Sequence, residues 1–211
     1  MHFGTWISFV IAGTVIAISP GSGAVLSMSH GLAYGVKKAS ATVLGLQIGL
    51  LLVLAVAGAG VGSLVLASEL AFIVVKTVGA LYLIWLGIGQ WRAKADAPNV
   101  STAGLAAHPS FGRRVMTGFL TNATNPKGII FMVAVLPQFI AQDAPVLPQL
   151  AILAVTMMAI DSTVMHGYAF LAASMQRWFR DVRAVKMQNR FFGAVLMLMG
   201  SLLLLVKRAA H

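Results

Sequence analysis

The chain has 211 residues, of which 59% are hydrophobic and only 9% charged, and its mean hydropathy is +0.89. That is more apolar surface than a soluble domain needs for its core, so the sequence reads as an all-α integral membrane protein with no room for a soluble enzyme domain. The formal net charge is +10, and cysteine is absent, which excludes disulfides, thiolate chemistry and Cys-ligated metal sites.

In chain order the apolar runs predict six transmembrane spans, over 4–28, 39–66, 70–91, 115–140, 147–173 and 191–207. Each is close to the length of about 20 residues that a bilayer core requires. No Lys or Arg precedes Trp6, and the apolar pattern continues past Ser19-Pro20, so the first run is expected to be a retained span and not a cleaved leader. Its break is the stretch AISPGSG. Pro20 removes a backbone hydrogen bond and crowds the carbonyl of Ile16, while Gly21 and Gly23 leave the backbone permissive. In lipid, freed backbone groups are tolerated only where protein or a water-filled cavity satisfies them, so this segment should face the bundle interior.

Span two carries Gln47 between Gly45 and Gly49 in GLQIG. Glycines at i and i+4 permit close helix approach, and Gln47 adds a polar side chain at membrane depth, a candidate substrate contact. In span three, Lys76 lies near the start, where its long stem reaches the outer interface. Gly79 there and Gly118 in span four serve packing, while Tyr82, Trp85 and Trp91, with Trp6 and Trp178 near other span ends, read as interfacial anchors.

The linker RAKADAPNVSTAGLAAHPSFGRR, residues 92–114, divides a single transmembrane domain (1–211) into a first repeat over 1–91 and a second over 115–211. Span four then repeats the theme of span one in Thr121-Asn122-Ala123-Thr124-Asn125-Pro126-Lys127-Gly128. Pro126 frees the carbonyl of Asn122, and Lys127 sits near mid-span, where a cation is costly unless it faces a cavity or a partner. In span five Asp161 is the only carboxylate inside an apolar run. It can carry a proton, pair with Lys127, bind a substrate amine, or make a structural polar contact. His166 lies five residues on, roughly 140° around a helix. With no second His or Cys at ligand spacing, neither a metal nor another cofactor is expected. The sequence has no Walker loop, dinucleotide fingerprint or HExxH.

Loops alternate across the membrane. On one side fall Lys37 and Lys38, then Arg92, Lys94, Arg113 and Arg114, then Arg177, Arg180, Arg183, Lys186 and Arg190. The other side has Glu69 and Asp143 in its short loops, with Lys207 and Arg208 at the C-terminus. The basic side should be cytoplasmic, with the linker on it and both termini outside. Its last loop, over 177–190, would lie against anionic lipid. Positive charge placed in short loops sets orientation and does not form a nucleic-acid footprint.

A lone proline kink usually serves packing. Two breaks in corresponding spans, each with polar residues beside the proline, point instead to one shared site in two inverted three-helix repeats. The site residues are Ser19, Pro20, Gly21, Asn122, Asn125, Pro126 and Lys127, with Gln47 and Asp161 as further candidates. Pro20 and Pro126 should then approach each other near the bundle centre.

The elements Ser19-Pro20-Gly21, GLQIG, Lys76 followed by GALYLIWLG, and FLTNATNPKGIIFMVAVLPQF resemble, in order and spacing, the lysine exporter (LysE/RhtB) family over nearly the whole chain. Where members usually read SPGP, this chain reads SPGS. Related families that move reducing equivalents use paired cysteines, which this chain lacks. The resemblance implies a bacterial inner-membrane exporter of amino acids or their derivatives, driven by the proton or another ion gradient. On this reading the partners are a small amino-acid substrate and the lipid bilayer, with a homodimer left open. Freed carbonyls and Asn side chains would bind an ammonium, half-helix N–H groups and Lys127 a carboxylate, and Asp161 would couple protons or bind the amine. The alternative is a membrane channel or scaffold without coupled transport.

Overall fold

The computed structural model describes residues 1–61, 69–92, 109–141, 143–174 and 182–205. Lys94, Arg177, Trp178, Arg180, Lys207, Arg208 and most of the linker lie outside the described residues. The helices are α1 (Phe3–Ile18), α2 (Ser22–Tyr34), α3 (Val36–Val56), α4 (Glu69–Arg92), α5 (Phe111–Ala123), α6 (Pro126–Val135), α7 (Val146–Ser174) and α8 (Val182–Leu205). A π-helical turn, Ala57–Val61, continues α3, and a 3₁₀ turn, Leu136–Phe139, continues α6. No strand occurs among the described residues.

Val36–Gly60 and Val146–Ser174, of 25 and 29 residues, are each long and apolar enough to cross a membrane. Helices α1 and α2 meet at a bend of 57°, and α5 and α6 with its 3₁₀ turn at 52°, so each pair makes a further candidate span, broken near its proline.

Several boundaries differ from the sequence expectation. The first span runs on from 28 to Tyr34 and ends at Gly35, whose φ of 76° is the one left-handed value among the described residues. A chain reversal of a single residue needs that conformation, and glycine adopts it without a Cβ clash. Lys37 and Lys38 therefore sit in the first turn of α3 and not in a loop. Helix α5 takes in Phe111–Arg114 from the expected linker, because Ser110 caps it: its side chain accepts from the Arg113 N–H at 3.2 Å. Helix α8 begins nine residues before the expected 191, since nothing from Val182 onward breaks a helix and Arg, Lys, Met and Gln all favour one.

Glycines set the packing. A Cβ on Gly45 would run into the Val115 carbonyl, and one on Gly49 would come within 2.7 Å of the Phe119 carbonyl. Partner numbers rise together, so α3 and α5 run parallel. Likewise Gly13 faces Met157, Gly23 faces Met165 and Gly31 faces Ala169, so the α1–α2 span runs parallel to α7. Helices α4 and α8 are antiparallel: Gly87 packs on Gly193, while Ala80 packs on Gly200. Small residues let backbones touch, which is how membrane helices associate when lipid is as apolar as the side chains. The apolar interior joins these pairs, with Phe9, Leu83, Phe131, Leu153 and Leu196 fully enclosed.

The outside is apolar as well. On α3, Leu44, Ile48, Leu52 and Val56 recur every fourth residue, and each is more than 40% exposed. A continuous apolar stripe of this kind on the surface is the face a bilayer covers.

Candidate functional site

The site grows from the two breaks. At the first, Ser19 leaves the helical region with ψ of 119°, and Gly21 is extended where it precedes α2. Because Pro20 has no N–H, the end of α1 presents carbonyls that the helix itself cannot satisfy. Side chains from the second half of the chain satisfy them. Lys127 Nζ donates to the Ile16 carbonyl at 3.0 Å and to the Ser19 carbonyl at 2.5 Å, and the Tyr168 hydroxyl donates to the Ile18 carbonyl at 2.5 Å.

The second break closes on itself. Asn125 caps α6, its Oδ1 accepting from the Lys127 backbone N–H at 3.2 Å, and Pro126 occupies the first helical position, where a missing N–H costs nothing. The carbonyl of Asn122, freed by Pro126, accepts from the Asn125 N–H at 3.1 Å. Asn122 Nδ2 reaches across to the Leu46 carbonyl at 2.7 Å and pins the break to α3.

Between the breaks lies a cavity of about 40 Å³, room for a few water molecules. Ser19, Gly21, Asn122, Asn125, Lys127 and Asp161 supply its polar wall. Leu46, Leu50, Phe131 and three methionines, Met132, Met157 and Met165, supply the apolar one. Asp161 is only 8% exposed, and its Oδ2 accepts from Gln47 Nε2 at 2.8 Å. Lys127 and Asp161 both line the cavity, yet they form no direct ion pair. The cavity thus holds one cation and one carboxylate, apart from each other and each with its own protein partners.

Not every candidate lines this cavity. Gln47 stands behind Asp161 and touches the cavity only through it. Pro20 and Pro126 are both absent from the lining, and the Pro126 ring is exposed. The breaks meet through the Lys127 side chain. Lys127 also points at backbone carbonyls and not into open space, so the ammonium-binding carbonyls and the proposed carboxylate-binding lysine are engaged with each other.

Residues outside the candidate set also define the site. Met157, Asp161, Met165 and Tyr168 fall at i−4, i, i+4 and i+7 on α7, one helical face that the spacing around Asp161 would have disclosed. His166, on another face, bonds the Ser162 carbonyl at 2.8 Å and the Ser40 hydroxyl at 3.1 Å, tying α7 to α3. Lys76 donates to the Leu204 carbonyl in the last turn of α8, at 3.3 Å. The Trp6 indole N–H donates to Thr156 at 3.0 Å, tying α1 to α7. Gly79 and Gly118 both abut neighbouring helices, at Ala134 and Thr42.

Broken helices that meet at a charge-bearing cavity, inside a multi-pass bundle with an apolar exterior, are the layout of a membrane translocator and not of an enzyme. The chain belongs to the LysE-type translocator family, whose profile matches residues 14–207. It is 42% identical over 209 residues to a homoserine/homoserine lactone efflux protein of Salmonella typhimurium, an alignment covering 99% of this chain and 100% of that one. An uncharacterized membrane protein of Vibrio cholerae is 39% identical over 98% of this chain and 100% of its own length. A leucine efflux protein of an Enterobacter species is 30% identical over 88% of each chain. No solved structure matches.

Proposed function

We propose that this protein is a secondary transporter of the bacterial inner membrane that exports small neutral amino acids and their derivatives, homoserine foremost, driven by the proton gradient. The observation that carries this reading is the cavity between two broken spans, whose lining includes both Lys127 and Asp161. Relatives named for homoserine, homoserine lactone and leucine efflux support the substrate class. Homoserine and its lactone share an amino group on the α-carbon, and only homoserine carries a free carboxylate, so the amino group is the feature such a site would read in both.

Alternating access would come from two inverted halves within a single domain of six spans. The packing directions support that arrangement. Span two lies parallel to the start of span four, span five lies parallel to span one, and spans three and six are antiparallel. An inversion that exchanges the halves maps the first pair onto the second and the third onto itself. Exposed basic residues at Lys37, Lys38, Arg92, Arg113, Arg183 and Lys186 support a cytoplasmic face there, with both termini outside.

The site we assign comprises Ser19, Pro20, Gly21, Asn122, Asn125, Pro126 and Lys127, the prolines acting by shaping the backbone. Gln47 orients Asp161, and Asp161 carries the coupling proton. Proteoliposomes holding the purified chain test this. Labelled homoserine should show saturable counterflow, and efflux should accelerate when the trans side is acidified. Asp161→Asn should keep counterflow but lose the response to the pH gradient. Absence of counterflow for both homoserine and leucine would leave a channel or scaffold as the better reading.

A further inference from the structure

We propose that the broken end of α1 is an ammonium subsite, that Lys127 Nζ occupies it while the cavity is empty, and that the amino group of the substrate displaces it. This deepens the function proposed above and rests on it for the identity of the displacing ligand.

Two carbonyl oxygens, from Ile16 and Ser19, converge on one Nζ at hydrogen-bond distance. They belong to the C-terminal end of a helix, where unpaired carbonyls concentrate partial negative charge and favour a cation. Space for that cation depends on Gly21: a Cβ there would lie 3.1 Å from both Cε and Nζ of Lys127. The subsite is thus built for a primary ammonium on a narrow alkyl stem. An α-amino group offers the same N–H donors.

Lys127 is not sealed into this position. It is one of the groups lining the cavity, together with Asp161. Asp161 engages Gln47 through Oδ2, while no bond to its Oδ1 occurs among the described residues. Displaced from the carbonyls, Nζ has that carboxylate within the same cavity to turn to, so no cation is left bare at membrane depth. Position points the same way. Ser19, Gly21 and Lys127 all line the cavity, so a ligand amino group that reaches the carbonyl end of α1 has to displace the Lys127 side chain. Lys127 is then a tethered competitor: the substrate binds only against it, and its return helps expel the substrate.

The test uses the full chain in lipid nanodiscs. Lys127→Ala should melt lower than wild type and regain stability with ethylammonium chloride, but not with sodium chloride or tetramethylammonium chloride, which offer ionic strength without N–H donors. Lys127→Met keeps the stem and removes the charge, so it guards against a folding defect in the alanine variant. It should bind labelled homoserine about tenfold tighter than wild type, since the competitor is gone, while counterflow turnover falls about tenfold or more because the bound state is no longer opposed. Loss of homoserine affinity in Lys127→Met would overturn the proposal and make Lys127 a direct substrate ligand. Lack of ethylammonium rescue in a folded Lys127→Ala would overturn it as well. Ethylammonium rescue without any homoserine binding by the wild type would uphold the subsite and defeat the substrate reading alone.

Discussion

At membrane depth a polar side chain is costly unless its bonds are made inside the protein, and Gln47, Asn122, Lys127 and Tyr168 each donate to a protein acceptor, whereas the Ser19 hydroxyl and the Gln47 Oε1 are buried without a partner. Gln47 holds Asp161, so Gln47→Leu should strip the carboxylate of its donor and cost about 1–2 kcal/mol, read as a lower melting temperature in detergent micelles. Tyr168→Phe removes the donor to the Ile18 carbonyl and should cost about 1 kcal/mol or more in the same assay. Sequence reasoning identified which carbonyl Pro20 would free, because that follows from helix geometry alone. It could not identify the group that would fill the gap. Lys127 is 111 positions from Ile16, and no local rule links them. The carbonyls and Lys127 are two separate groups in the sequence and one bonded unit in the fold.

At the scale of helices, glycine decides how closely axes approach. Gly45 and Gly167 are both inside helices, but a Cβ on Gly45 meets the backbone of α5 while one on Gly167 meets nothing within 4 Å. Gly45→Val should therefore destabilise by about 3 kcal/mol or more, because a backbone carbonyl cannot yield as a side chain can. Gly167→Ala should instead gain about 0.5–1 kcal/mol from helix propensity, and thermal unfolding of the two variants side by side checks the contrast. The spacing in GLQIG announced a close crossing but not its partner, since both faces of α3 are apolar and nothing in the pattern distinguishes protein from lipid. Boundaries were misplaced for a related reason. Hydropathy marks where a span is apolar, whereas a helix ends where a residue such as Gly35 or Ser110 changes the backbone.

At the scale of the molecule, the proposed sidedness can be read chemically because the native chain has no cysteine. Gly4→Cys should react with a membrane-impermeant maleimide on intact spheroplasts, and Lys38→Cys only after the membrane is opened; the reverse pattern would invert the topology. The pairing of helices supports two inverted halves, but the two breaks are completed differently. The first borrows Lys127 from the other half, while the second uses its own Asn125. Were the halves perfect inversions of one another, the inward-open and outward-open forms would have equal energy, and neither would be a resting state. One lysine without a counterpart removes that degeneracy. On the proposed mechanism the proton gradient would still dictate the direction of net flow, but this single bolt would set the side from which the carrier waits to be loaded.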